Sequence, residues 1–205
     1  MLNSMRELIK FARYKKKGLS PYAAILSDKR NILDIGCGQG EFERQFANFY
    51  GLDISFKNIK KAASICKGRL IQGDAIKLPI KDSSFEGVIL NNVIEHFYPE
   101  EALLTLREVD RILEKDGFFL LATQMERRGN FNTFTHKRPY PPDSIRKLLD
   151  PGNDEPTIRG WKIEKIYFKG RYHKNKVLRI LFKIVGHFRM FAQDYVMLIH
   201  KEDNT

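Results

Sequence analysis

An acid followed by three glycines two apart, Asp34-x-Gly36-x-Gly38-x-Gly40, is the densest group of chemistry-bearing positions in this chain. It closes the apolar run Ile32, Leu33 and Ile35. Such a run reads as a buried parallel strand breaking into a turn tight enough for a ligand to lie against bare backbone. A helical pattern at 41–46 would leave the loop's N–H groups facing whatever lies above the strand. Asp53 closes a second apolar run and Asp74 follows a third. A carboxylate at the first of these positions can accept both hydroxyls of a ribose, and one at the second can accept from an adenine amino group. Three acids at the carboxyl ends of successive strands would line the crevice where open α/β sheets bind ligands.

Spacing decides which nucleotide-like ligand fits. Dinucleotide loops run G-x-G-x-x-G, but the residue three after Gly38 is Glu41. Asp34 would repel a pyrophosphate and attract an ammonium, directly or through water. S-adenosylmethionine carries that ammonium, and NAD does not. Its sulfonium is already an activated leaving group, so aligning an acceptor with the methyl would supply ~7–11 kcal/mol by proximity. A general base is needed only for a hydroxyl or an acidic carbon. Glu95, His96, His136 and Tyr140 are the candidates, with His136, His96 and Tyr140 taken as the catalytic set. The plainer reading of His96 is a packed histidine after the fourth strand. Cys37 sits inside the glycine loop, where a small side chain suits packing better than nucleophilic attack.

The elements that must hold these residues follow from hydrophobic period. Strands are expected at 30–35, 49–54, 69–73, 85–91 and 118–123, with helices at 56–67 and 99–113 and a turn at 115–117. Alternating strands and helices imply a parallel, doubly wound sheet with right-handed crossovers. Residues 126–142 are polar, aromatic and irregular, a short helix is expected at 143–149, and strands at 161–169 and 195–200. Between those strands Val177, Leu181, Ile184, Val185 and Phe188 share one helical face and Lys176, Arg179 and Lys183 another. That helix, 174–191, interrupts a strand hairpin and would form a lid, an acceptor wall or a contact with a second copy. Short helices are expected at 4–14 and 21–26. The chain thus divides into a basic N-terminal segment (1–29), a cofactor core (30–125) and an acceptor-side segment (126–205) within one structural domain.

The segments LDIGCGQG (33–40), YGLDIS (50–55), IQGDAIKLPI (71–80), FEGVILNNVIEHF (85–97) and REVDRILEKDGFFLLAT (107–123) resemble class I S-adenosylmethionine-dependent methyltransferases, most closely the ubiquinone/menaquinone-biosynthesis type. The resemblance implies a Rossmann-like, seven-stranded, mostly parallel sheet of order 3-2-1-4-5-7-6, strand 7 antiparallel, here with an extra helix between strands 6 and 7. It implies that Gly36, Gly38 and Gly40 lie against the cofactor together with Asp34 and Cys37. Asp53 and its neighbour Ile54 would meet the ribose end, Asp74 with Ala75 the adenine, and Asn91 the methionine end. Two positions depart from the family pattern: Glu86 stands for an aspartate, and Lys115-Asp116-Gly117 for Pro-Gly-Gly. THKRPYPPDSIRKLL (135–149) resembles the acceptor side of the same subgroup.

Charge and cysteine content bear on partners. The net charge is +11, of which residues 1–30 carry +6 and residues 162–191 carry +8, leaving the remainder at −3. The basic segments would attract RNA or an anionic membrane surface, or serve solubility alone. Two cysteines, 37 and 66, suggest neither a disulfide framework nor a zinc site, and no metal is expected. A reducing, cytoplasmic compartment is the simplest expectation. The leading function is methyl transfer to a small-molecule or lipid-like acceptor, and the alternative is RNA (tRNA) methylation. Against amino-nitrogen base methylation, Asn91-Asn92-Val93-Ile94 replaces the expected Asn/Asp-Pro-Pro-Tyr/Phe.

Overall fold

The computed structural model of the chain describes residues 25–66, 69–126, 133–150, 152, 157–170 and 192–202. Seven strands form one sheet: β1 (Ile32–Ile35), β2 (Phe49–Asp53), β3 (Leu70–Gln72), β4 (Phe85–Asn91), β5 (Leu113–Gln124), β6 (Trp161–Gly170) and β7 (Ala192–Lys201). Their order is β3-β2-β1-β4-β5-β7-β6. β1 to β5 pair in parallel, and β7 runs antiparallel to both β5 and β6. This is the expected topology. Order reverses between β1 and β4, so the crevice opens above the carboxyl ends of β1, β2 and β4.

Helices α1 (Phe56–Ala63), α2 (Pro99–Ile112) and α3 (Pro142–Leu148) flank the sheet, with a 3₁₀ turn at Ile94–His96. Ser55 caps α1 by accepting from the Asn58 amide at 3.4 Å. Glu101 caps α2 by accepting from the Tyr98 amide at 2.9 Å. Every residue of β1 is buried, as are Gly87 to Leu90 of β4, because helices cover both faces of a parallel sheet. One cluster is built from Leu33, Ile35, Val88, Leu90, Leu106 and Val109 on the α2 side. A second unites Ile32, Phe42, Phe49, Ile89 and Leu120 on the opposite face.

Three local expectations are corrected. Residues 41–45 form successive turns rather than a helix. Phe42 and Phe46 are both drawn onto Phe49, with ring centroids 6.2 and 5.1 Å away, so little more than one helical turn of chain is left before β2. The α1 helix stops at Ala63, four residues early. The 115–117 turn lies inside β5: Leu113 is fully buried and pairs at once with Phe85, and the register shift before Gly87 absorbs the extra residues. Asp116 takes φ 59° there. The expected helices at 4–14 and 174–191, and most of the one at 21–26, lie outside the described residues. Among the described residues no helix is long and apolar enough to cross a membrane.

Candidate functional site

The three glycines solve different problems. All have positive φ, at 75°, 55° and 78° for Gly36, Gly38 and Gly40. A Cβ on Gly36 would lie 2.4 Å from Val93 Cγ2, and one on Gly40 would lie 2.5 Å from Cys66 Sγ. A Cβ on Gly38 would meet nothing within 4 Å. Gly36 and Gly40 are therefore fixed by packing as well as conformation, while Gly38 leaves its backbone open to solvent.

The loop's N–H groups are not left over for a ligand. Gly36 and Cys37 donate to the Leu52 carbonyl at 2.7 and 3.0 Å, and Gly40 to the Cys37 carbonyl at 3.0 Å. Gly38 donates to Asp53 Oδ2 at 2.9 Å. This corrects the expectation of a donor-rich loop, and it has a chemical consequence. A pyrophosphate needs donors, which these four positions have spent; a cationic ligand needs acceptors instead.

Above the loop lies a cavity of about 380 Å³, within the range of small-molecule sites. Gly36, Gly38, Asp53, Ile54, Asp74 and Ala75 all line it. Asp53 is 7% exposed and accepts from the Ser55 amide at 2.8 Å and from Asn58 Nδ2 at 3.2 and 3.3 Å. With the Gly38 bond, these donors lock its carboxylate in one orientation at the end of β2. Asp74 Oδ1 accepts from the Ile76 amide at 3.1 Å, and the Asp74 carbonyl from the Lys77 amide at 3.2 Å. The loop after Asp74 is tied down from α2. Glu108 accepts from the Leu78 amide at 2.6 Å, and Arg111 donates to the Ile80 and Leu78 carbonyls at 2.7 and 3.2 Å. The Arg111 guanidinium holds the Glu108 carboxyl below its ordinary range.

Four expected cofactor residues are placed elsewhere. Asp34 is 4% exposed and outside the cavity lining, next to the buried Glu43. Burial pushes the Asp34 carboxyl well above its ordinary range, with Glu43 adding to the effect; burial likewise pushes Glu43 up to about 7. Neither Glu43 oxygen has a hydrogen-bond donor, so burial and the neighbouring carboxyl both favour the protonated form of the pair. Cys37 turns under the loop against β2, where a Cβ on Gly51 would lie 2.8 Å from its sulfur. Burial pushes its thiol up, the opposite of what a nucleophile requires. Gly40 packs on α1, and Asn91 ends β4 outside the lining. Asn92 and Val93 line the cavity instead.

The sequence reading missed Asn58, Asn92 and Phe97. Asn92 takes φ 54°, a conformation that asparagine tolerates better than most residues, so the Asn91-Asn92 pair was the available signal.

On the acceptor side His96 and Phe97 close the cavity. His136 packs edge-on against His96, ring centroids 4.9 Å apart. Tyr140 is buried; its hydroxyl donates to the Phe97 carbonyl at 3.1 Å, and burial pushes it up to about 12. It braces the wall that His96 and Phe97 present.

The segment 33–121 matches the methyltransferase domain family. An uncharacterised protein of Methanocaldococcus jannaschii is 31% identical over 77% of this chain and 68% of its own length. The chain belongs to the class I S-adenosylmethionine-dependent methyltransferases, whose cofactor is S-adenosylmethionine. A Mycolicibacterium smegmatis fatty-acid O-methyltransferase is 35% identical over 44% of this chain and 36% of its own length. A Schizosaccharomyces pombe tRNA (carboxymethyluridine(34)-5-O)-methyltransferase is 29% identical over 69% and 65%. The chain spans about a third to two thirds of the length of these curated relatives. Among solved structures, an S-adenosylmethionine-dependent methyltransferase from Archaeoglobus fulgidus shares the fold at TM-score 0.66, with 23% identity over 96% of this chain and 94% of that one.

Proposed function

We propose that this chain transfers the methyl group of S-adenosylmethionine to a small-molecule or lipid-like acceptor entering beside His96 and Phe97. The observation that carries this reading is the cavity that Gly38, Asp53 and Asp74 share, with its loop donors already spent. In this reading Asp53 accepts the ribose hydroxyls and Ile54, 67% exposed, gives the adenine an apolar floor. Asp74 and Ala75 meet the adenine edge. The methionine end lies over Gly36 and Gly38 towards Asn91 and Asn92, and its ammonium is met by backbone carbonyls rather than by Asp34. The sulfonium then points at the His96 wall, and in-line attack needs no protein nucleophile.

Val93 and Phe97 beside His96 favour an acceptor with apolar surface. The likeness to a fatty-acid O-methyltransferase supports the same class. RNA is the second reading, favoured by the basic segments and by the tRNA methyltransferase relative, whose match covers more of this chain. Incubation with radiolabelled cofactor and fractionated cell extract separates the two: label in the lipid or small-solute fraction supports the first, and label in RNA overturns it.

A further inference from the structure

Glu95, His96 and His136 each bring one ligand atom to a common point, all within 4.8 Å of one another. Glu95 is 2% exposed, and its Oε1 has no hydrogen-bond partner. Among the described residues it forms no ion pair. A buried carboxylate oxygen without a donor is costly, and a cation satisfies it. Two side-chain contacts orient Glu95 and His96. Thr123 Oγ1 donates to Glu95 Oε2 at 2.9 Å, fixing the carboxylate plane. His96 Nδ1 lies 3.2 Å from the Thr135 carbonyl, which can only accept. In a neutral ring this contact puts the proton on Nδ1 and leaves the Nε2 lone pair for a ligand bond. Metal-binding histidines are oriented in this way, the second ring nitrogen donating to a carbonyl. His136 is held by its own amide, which donates to the Thr133 carbonyl at 3.0 Å, and by the His96 ring. The Lys137 amide donates to the Glu95 carbonyl at 2.8 Å, tying the two segments together.

We propose that these three side chains bind one divalent transition-metal ion, and that its open coordination position takes a hydroxyl oxygen of the acceptor. Two imidazoles and one carboxylate suit zinc, cobalt or iron(II) better than magnesium or calcium, which prefer all-oxygen sites. Around a tetrahedral ion with ligand bonds of ~2.0–2.2 Å the donor atoms stand roughly 3.4 Å apart. The present donor atoms, within 4.8 Å of one another, would have to draw closer to reach that spacing. His96 belongs both to this cluster and to the cavity wall, so the ion would sit where the acceptor meets the methyl. The metal-bound hydroxyl loses its proton to solvent water. Its oxygen then bonds to the methyl carbon as the carbon–sulfur bond breaks, the electron pair staying on sulfur and the metal keeping its oxidation state. The role in transfer rests on the methyltransferase reading; the ion site does not.

Cobalt(II) titration of chelator-treated full-length chain, followed by visible absorption, tests the site directly. One equivalent should bind with ligand-field bands of a histidine–carboxylate site. His136→Ala and Glu95→Gln should each weaken binding at least tenfold, and Thr123→Ala about tenfold through the lost carboxylate partner. Acetohydroxamate, an oxygen-donor probe, should shift the cobalt bands of the wild type. S-adenosylmethionine affinity, measured on the same samples, reports folding and the methyltransferase reading separately. If Glu95→Gln fails that control, His136→Ala decides. Absence of saturable one-to-one binding, or binding unchanged in a folded His136→Ala chain, would overturn the ion site. Unshifted cobalt bands would overturn the open position.

Discussion

Asp53 and Glu43 are two buried carboxyl groups put to opposite uses. Asp53 is surrounded by amide donors and presents a fixed carboxylate to the cavity. Asp53→Asn keeps its shape but turns one acceptor into a donor facing Gly38 or Ser55. We expect cofactor affinity to fall roughly 10- to 100-fold, the loss of one or two charged hydrogen bonds; calorimetry checks it. Glu43 has only Asp34 beside it, and burial lifts its carboxyl to about 7. The unfolded chain releases that proton near the ordinary glutamate range, below the folded value. Between the two the folded state binds more protons, so stability is fully present below about pH 4.5 and declines as pH rises towards 7. Glu43→Gln should flatten this decline, bringing stability at pH 8 up by roughly 1–3 kcal/mol relative to wild type, as read by urea unfolding. An equal slope in both proteins would mean that Glu43 is not raised by burial.

At the scale of elements, the loop 74–82 depends on α2. Arg111 bridges Glu108 and Asp82 at 2.7 Å each while donating to two loop carbonyls. Removing it leaves those carbonyls without this donor and Glu108 with the Leu78 amide alone, so Arg111→Met should lower the melting temperature by about 4–8 °C, corresponding to ~2 kcal/mol. It should also weaken cofactor binding through the Asp74 wall. The same scale shows what was legible in the sequence. Strand positions followed from apolar runs, because a parallel strand buried on both faces leaves a continuous apolar signature, and strand order followed from the family resemblance. The conformations of 41–45 and 113–117 did not follow. Each is decided by a contact outside the segment, with Phe49 a few residues on in one case and with Phe85 on the neighbouring strand in the other, and the pattern within the segment does not contain that contact. Asp34 illustrates the same limit at the site. Its position in the motif is plain, but it is buried beside Glu43, nine residues on and read as part of a helix, outside the crevice lining. The Glu95–His96–His136 cluster was equally hidden. Two of its members are adjacent, and the third arrives from an irregular segment forty residues later.

For the whole molecule, the division of charge matters most. A remainder of net −3 accompanies segments of +6 and +8, a distribution that would draw a polyanion to those segments. If RNA were the acceptor, its affinity would fall steeply with salt, log K changing by several units per log unit of salt for a multi-phosphate contact. The account here expects turnover of a small or lipid-like acceptor to vary far less between 50 and 200 mM salt, measured with the acceptor that the label identifies. A steep loss of turnover over that range would instead favour the nucleic-acid reading.

All of these expectations depend on the crevice above β1, β2 and β4 holding S-adenosylmethionine through Asp53. Calorimetric titration of wild type and Asp53→Asn with S-adenosylmethionine and with S-adenosylhomocysteine measures this most directly. The account predicts one site per chain for both compounds and a marked loss of affinity in the variant. Heat-silent titrations of a folded wild type, or identical affinities in the two proteins, would contradict it.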